Sequence, residues 1–391
     1  MDYSGDSNVY SKEMIQLLTY PDIDPQQWQA LVDRSPYATW FQTPEAYEFY
    51  ASNPEEMTPF AVGVAELEVK GERLKVQGTE NSAAETTAST PYTLHHTPAL
   101  KGVIVGYVTL ERNPLMQYFT RRAIIIGGPL LAEDISDEAL SALLGAVAQC
   151  PASLLIASSP HRLTKPIYIE TRNFNDYSRW KDIFDINGFS YQKHLDYHIN
   201  TTSLELAQSN IGKHRWRYIR LSMRDGAQII DNPTIEQVRT FYTILQDLYR
   251  TKVRTPLWSW DFFERLYHTE HARYILVELD GQIVGGTACV CLPGKAVYEW
   301  YACGLDNCRD DIRPLSVAVW GEMQYAAENG YPLFDFMGAG TPDLPYGVRD
   351  FKAEFGGELV EYGRFLYVRK PLLYQMGKWG VKILKLITKI Q

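Results

Sequence analysis

The chain is poor in cysteine, with five in 391 residues, and none stands in the paired C-x₂-C spacing of a zinc site. Cys289 and Cys291 sit two apart in a strand-like run, with Cys303 and Cys308 following. This odd-numbered, unpaired set reads as reduced core thiols, and no metal centre is expected. No run approaches the roughly 20 apolar residues of a membrane span. The opening "MDYSGDSNVY" is polar and acidic, unlike a secretory leader, so a cytoplasmic protein is expected. Positive charge is also short: 38 Lys and Arg against 47 Asp and Glu leave a net charge of −9. A chain built as a whole to hold nucleic acid is thereby excluded.

Aromatic residues, by contrast, are abundant, with 26 tyrosines and 9 tryptophans. Such side chains bury a large apolar body and keep a polar handle, which suits grooves that hold polar ligands. The few cations are concentrated. "KHRWRYIRLSMR", residues 213–224, holds five basic residues and no acidic one, whereas residues 1–60 hold two basic and ten acidic. Glycines cluster late in the chain, in "FMGAG" and "GVRDFKAEFGG", where the backbone must turn sharply or let another group come close.

The length predicts two domains. Helices are expected over 12–20 and 25–34, the second capped by Asp24 with Pro25 at its first position, and another in "PEAYEFYAS". The alternating stretches "PFAVGVAELEVKG" and "KGVIVGYVTLERN" predict a hairpin. It is interrupted at about 71–99 by a Ser/Thr/Ala-rich insertion without periodicity. A strand in "RRAIIIGG", a helix in "SDEALSALLGAVAQC", a strand in "ASLLIASSP", a helix in "WKDIFDINGF" and a strand in "YQKHLDYHINT" complete the first half. The second half repeats the recipe: helices, a hairpin around "LDGQ", a strand in "AVYEWYACG", a helix from Pro314, a strand in "YPLFDF", and "GRFLYVRK" closing its sheet. The expected units are 1–200, 201–368, and a terminal basic helix over 369–391.

Hairpin, strand, helix, strand is the layout of the acetyltransferase-type (GNAT) fold, so an α/β chain of two tandem GNAT-like domains is expected. In that fold a glycine-rich loop opening the main helix holds the CoA pyrophosphate on backbone N–H groups. Here the equivalent stretch, "CRDDIRPLSVAVWGE", has no glycine pair, and Pro314 removes a donor. The first half's "AEDISDEALSALL" sets four acids there. CoA is therefore not expected to bind in the usual way, and no cofactor is expected.

Two such halves without a CoA loop, together with "KHRWRYIRLSMRDG", "YEWYACGLD", "FDFMGAG" and "DFKAEFGG", resemble the Fem aminoacyltransferases. These enzymes build peptidoglycan interpeptide bridges with aminoacyl-tRNA as donor. The resemblance covers most of residues 30–370 and implies an aminoacyl-tRNA donor and a peptidoglycan precursor as acceptor. It implies that Lys352 meets the ester or the developing oxyanion, a role a fixed ammonium in a partly dry cleft can fill, with Phe351 packed beside it. The attacking amine must also lose a proton, for which the acids Asp350 and Glu354 are within reach in sequence, and Asp350 is the catalytic candidate. No charged helical hairpin interrupts the second half, so the coiled-coil arm of some Fem members is not expected.

Lys213, Arg217, Arg220 and Arg224 fall on one helical face at i, i+4, i+7 and i+11. Such a row suits the diphosphate of a nucleotide- or lipid-linked precursor, or is a solvated face. Tyr249, Lys252 and Arg254, with Tyr301, are placed by the resemblance along the precursor groove. His194 and His198 flank Asp196 and read as an exposed strand face rather than a metal site. The tail "KWGVKILKLITKIQ" is a basic amphipathic helix with a tryptophan. It fits peripheral contact with the anionic inner membrane surface, and fits equally well docking on the protein's own core. Two other readings stay open: an N-acyltransferase using acyl-CoA or acyl carrier protein on a lipid or polysaccharide precursor, and a non-catalytic scaffold that binds a precursor.

Overall fold

A computed structural model describes residues 9–72, 98–110, 119–149, 165–306 and 308–387. Most of the expected insertion, and the strand expected at 152–160, lie outside them. So do the lysine side chains of the tail beyond residue 379.

The first half runs β1 (Val9–Thr19), α1 (Pro25–Arg34), α2 (Pro44–Ala51), β2 (Met57–Glu72), β3 (Ala99–Thr109), β4 (Arg122–Gly127), β5 (Leu130–Leu131), α3 (Asp137–Gln149), β6 (Tyr168–Asn173), α4 (Lys181–Ile186) and β7 (Ser190–Gln192). The chain continues through β8 (Asp196–Asn200), α5 (Leu204–Asn210), α6 (Lys213–Arg224), β9 (Gln228–Ile230), α7 (Ile235–Leu248), α8 (Trp260–Tyr267), β10 (Ala272–Leu279), β11 (Gln282–Leu292) and β12 (Ala296–Gly304). It ends with α9 (Pro314–Glu328), β13 (Leu333–Asp335), α10 (Gly347–Ala353), β14 (Glu358–Val360), β15 (Arg364–Val368) and α11 (Pro371–Ile387).

Local signals account for many of these elements. The Asp24 carboxylate accepts from the Gln26 amide and Pro25 opens α1, while Trp28, Leu31 and Val32 bury one face. In the β10–β11 hairpin, Asp280 and Gly281 both take positive φ, 51° and 78°, as a tight turn matched to strand twist requires.

The strands form two mixed sheets, ordered β1-β2-β3-β4-β6-β15-β7, with β5 beside β3, and β14-β8-β13-β12-β11-β10-β9. In each, an antiparallel hairpin leads to a strand that pairs parallel with the next, β4 with β6 and β12 with β13. α3 packs on the first sheet and α9 on the second. Between the sheets lies one shared aromatic core. Phe41 meets Trp300 at 5.0 Å and Tyr298 at 5.8 Å, and Phe49 meets Phe262 at 5.1 Å.

Three sequence expectations are corrected. The helix expected over 12–20 is absent: residues 12–19 belong to strand β1, because the long edge of β2 offers a ladder partner to every residue from Val9 to Thr19. "YQKHLDYHINT" is two strands in different sheets, β7 in the first and β8 in the second. The chain crosses at Leu195, whose N–H and C=O both bond the 339–340 backbone. "GRFLYVRK" closes the first sheet, not the second: β15 lies between β6 and β7, while β14 pairs with β8. The physical reason is the apolar partner of Phe365, which stacks on Phe184 at 3.8 Å and 10° inside the first core.

Phe365 is fully buried in that stack. Phe365→Ala is expected to lower unfolding stability by about 3–5 kcal/mol, measured by urea denaturation; a loss below about 1 kcal/mol would mean that β15 does not hold the first sheet closed.

Candidate active site

A cavity of about 610 Å³ opens between the two sheets. One wall comes from the ends of β4 and β6 and from Arg364. The other comes from His194–Asp196, from β12 and from the 336–340 loop, with Tyr249 and Tyr346 also lining it.

β12 contributes four consecutive residues, Glu299, Trp300, Tyr301 and Ala302. Regular alternation would turn every second one away. The register slips here, with Ala288 opposite Tyr301 and Cys289 opposite Glu299, so Trp300 is a β-bulge that re-aims the strand. Glu299 is consequently buried, at 7% exposure, and no described residue hydrogen-bonds its carboxylate; Oε2 is both buried and unpartnered. Burial lifts its pKa to about 7, against the attraction of Lys352, with Asp335 adding to the rise. Behind it Glu322, on α9, is fully buried and held well above the usual carboxylate range by burial and by Glu299.

Lys352, on α10, is buried at 9% exposure. Its Nζ donates to the carbonyls of Phe336 and Gly338 at 2.7 and 2.8 Å, which leaves one of three N–H groups without an acceptor among the described residues. The loop that carries these carbonyls needs unusual backbone. Met337 has φ 58° and Gly338 has φ 128°, and a Cβ on Gly338 would lie 3.2 Å from the His194 ring. Its amides are tied down as well: Asp335 Oδ1 accepts from Met337 N at 2.6 Å, and Asp196 Oδ1 from Gly338 N at 2.7 Å.

Asp196 and Asp335 are buried neighbours, and burial together with the Asp335 charge holds Asp196 well above its usual pKa. His198 Nε2 lies 3.2 Å from Asp335 Oδ2. Burial opposes the imidazolium, but the Asp335 carboxylate outweighs it and raises the His198 pKa. The expected exposed face of residues 194–198 is thus corrected: Asp196 is buried in the cavity wall, because β8 pairs on both edges, with β13 and β14. Ligand atoms of Asp196, His198 and Asp335 lie within 4.8 Å of one another, and the ammonium of Lys352 supplies the neighbouring positive charge.

Of the residues singled out from sequence, Lys352, Tyr249 and Tyr301 line the cavity. Phe351 packs on Phe355 at 5.2 Å beneath the Arg215 guanidinium at 4.6 Å, outside the cavity wall. Asp350 is exposed, and Glu354 pairs with Arg215 at 2.9 Å. Lys213, Arg217, Arg220 and Arg224 are exposed on α6 and none lines the cavity; Arg224 pairs with Asp225. Lys252 pairs with Asp306, and Arg254 sits at φ 56° where its amide closes the turn onto Tyr249 O. Glu299, Asp335, Arg172 and Arg364 were not singled out, and Asp196 was read only as part of an exposed strand face. The available signal was an acid inside an apolar strand, as in "YEWYACG" and "LFDF".

Glu299 also makes stability depend on pH. Its folded pKa lies above the unfolded value, so the native state binds the extra proton and stability falls as pH rises from about 4.5 to 7. Glu299→Gln is therefore expected to melt higher than wild type above pH 7, by the equivalent of up to about 3 kcal/mol, and to lose that advantage below pH 4.5. Parallel thermal melts across this range check it; a pH-independent difference would remove Glu299 as the titrating group.

Residues 213–352 match the family model described as an acetyltransferase (GNAT) domain. A comparison with curated sequences finds no match. Among solved structures, FemX superposes with a TM-score of 0.62 at 14% identity, over 93% of this chain and 99% of that one. A tandem GNAT protein from the clavulanic acid biosynthesis pathway gives 0.49 at 8% identity, over 90% and 98%. The C-terminal domain of a putative lysylphosphatidylglycerol synthetase from Agrobacterium fabrum gives 0.45 at 15% identity, over 67% and 80%. Residues 213–352 thus match a GNAT domain model, and over almost its whole length the chain has the fold of FemX.

Proposed function

We propose that this protein is an aminoacyltransferase that moves an amino acid from aminoacyl-tRNA to an amino group of a peptidoglycan or related cell-envelope precursor. The observation that carries the reading is the pairing, in one cavity, of a buried ammonium with a spare N–H and a buried, unpartnered carboxylate whose pKa is about 7. The amine attacks the ester carbonyl and Glu299 takes its proton. Lys352 stabilises the oxyanion of the tetrahedral intermediate. The C–O bond to the ribose breaks, and the proton held by Glu299 passes to the leaving oxygen. Tyr249 and Tyr301 stay protonated, since burial raises both, and line the cavity as neutral hydroxyls.

An acyl-CoA donor is less well supported. The N-terminal turn of α9 opens with Pro314, and Ser316 there is buried and takes a hydrogen bond from Arg215 at 2.6 Å. A Cβ on Gly304 would lie 2.7 Å from the Leu315 amide, so β12 packs directly on that turn. The exposed cations of α6 are the surface that would meet substrate phosphates. Among the described residues, no helix is long and apolar enough to cross a membrane. On α11, Leu372, Met376 and Trp379 are exposed by 83%, 59% and 69% and share one face at i, i+4 and i+7. With the lysines of the tail, this stripe suits peripheral contact with an anionic membrane surface on the cytoplasmic side.

Transfer from aminoacyl-tRNA to a UDP-linked muropeptide, followed as amide formation, tests the reading. Lys352→Ala and Glu299→Gln are each expected to lower kcat by roughly 100-fold or more, and the wild-type rate is expected to rise with pH through about 7. Turnover of acyl-CoA in place of aminoacyl-tRNA, or full activity of Glu299→Gln, would overturn it.

A further inference from the structure

Two guanidinium groups stand on the cavity wall contributed by the first sheet, and they share one acid. Arg172 Nε donates to Glu170 Oε1 at 2.8 Å, and Arg364 Nη1 donates to the same oxygen at 3.0 Å. Arg364 Nη2 lies 3.0 Å from His194 Nε2, and Arg364 Nε is buried without a partner. The two terminal nitrogens of Arg172 have no hydrogen-bond acceptor among the described residues. His194 is neutral, since burial and the Arg364 charge lower its pKa to about 4, so its Nε2 accepts from Arg364. Counting Arg172, Arg364 and Glu170, this wall keeps one uncompensated positive charge inside the cavity.

We propose that Arg172, backed by Arg364, is a subsite for a carboxylate of the acceptor substrate, so that the acceptor is an amino-acid-like zwitterion held with its carboxylate on the first sheet and its amine toward Glu299. A single surplus charge matches a monoanion. The planar fork of arginine presents paired N–H groups at the spacing of carboxylate oxygens. A dianion such as a phosphomonoester would exceed that single charge, next to the carboxyl groups of Asp196 and Glu299. None of the groups needed is on a loop: Arg172 lies in β6 and Arg364 in β15, adjacent strands held in register by the Leu366–Glu170 pair. The strand exchange that sets β15 into the first sheet is what brings the two arginines together.

The inference rests on the proposed aminoacyl transfer only for the direction of the amine. Its test uses the full-length protein and no donor, so it succeeds or fails independently of transfer. Calorimetric titration with L-lysine and L-lysinamide is expected to show roughly tenfold or greater preference for the carboxylate, the worth of a charge-assisted hydrogen bond. Arg172→Gln is expected to abolish the preference while still binding lysinamide as wild type does, which shows that the cavity is intact, and Arg172→Lys is expected to restore part of it. Equal affinity for the two ligands, binding of neither at millimolar concentration, or retention of the preference in Arg172→Gln overturns the subsite. Displacement of lysine by dimethyl phosphate more readily than by acetate also overturns it, in favour of a phosphodiester site.

Discussion

A buried ammonium must be given acceptors, and meeting that demand for Lys352 shapes the middle of this molecule. Two of its protons go to the carbonyls of Phe336 and Gly338. Those carbonyls face it because the loop passes through left-handed backbone at residues 337 and 338. The loop keeps that path because Asp335 and Asp196 hold its amides. An uncompensated charge in such a place would be expelled or neutralised; here Asp196, Asp335 and Glu299 surround it. The same arrangement keeps one N–H uncommitted at the cavity. A group that organises a fold and a group that can meet an oxyanion are therefore one side chain.

The second constraint is topological. After α10 the chain adds β14 to the second sheet and then β15 to the first, so each sheet is completed by residues that follow Lys352. Gly356 and Gly357 make the turn possible. A Cβ on Gly357 would stand 2.5 Å from His198 O, and one on Gly356 would stand 2.2 Å from Asn210 O. These glycines serve backbone packing beside the site, not ligand approach. The cavity lies where the two sheets meet, and its walls carry opposite chemistry: guanidinium groups from the first sheet, carboxylates and an ammonium from the second. Opposed walls of this kind can hold two reacting groups together, which supplies much of the rate of a bimolecular step.

What was legible in the sequence follows from short-range physics. Caps, turn glycines and the alternation of β-branched residues are read within ten residues, and they located α1, the two hairpins and α9. The order of elements repeated twice, and that order was enough to point to the tandem fold. The Phe-Lys pair pointed to Lys352, though Phe351 packs beneath Arg215 outside the cavity wall. The basic row of α6 was correctly periodic, yet periodicity says only that residues share a face. It cannot say whether that face meets a cavity or solvent.

The amino-acid sequence by itself determined most local elements and the repeated order of elements, because these depend on neighbours along the chain, whereas Lys352 was pointed to only by the resemblance of the stretch around it. Tertiary structure alone decided that residues 12–19 are a strand, that β15 belongs to the first sheet, and that a bulge at Trp300 turns Glu299 into the cavity. Each of these rests on a strand partner, from Cys289 opposite Glu299 in the adjacent hairpin strand to Glu170 opposite Leu366 far back along the chain. The elevated pKa of Glu299 and the shared charge of Arg172 and Arg364 arise only when such distant segments close around them, since desolvation and Coulomb coupling depend on distance in space rather than along the chain.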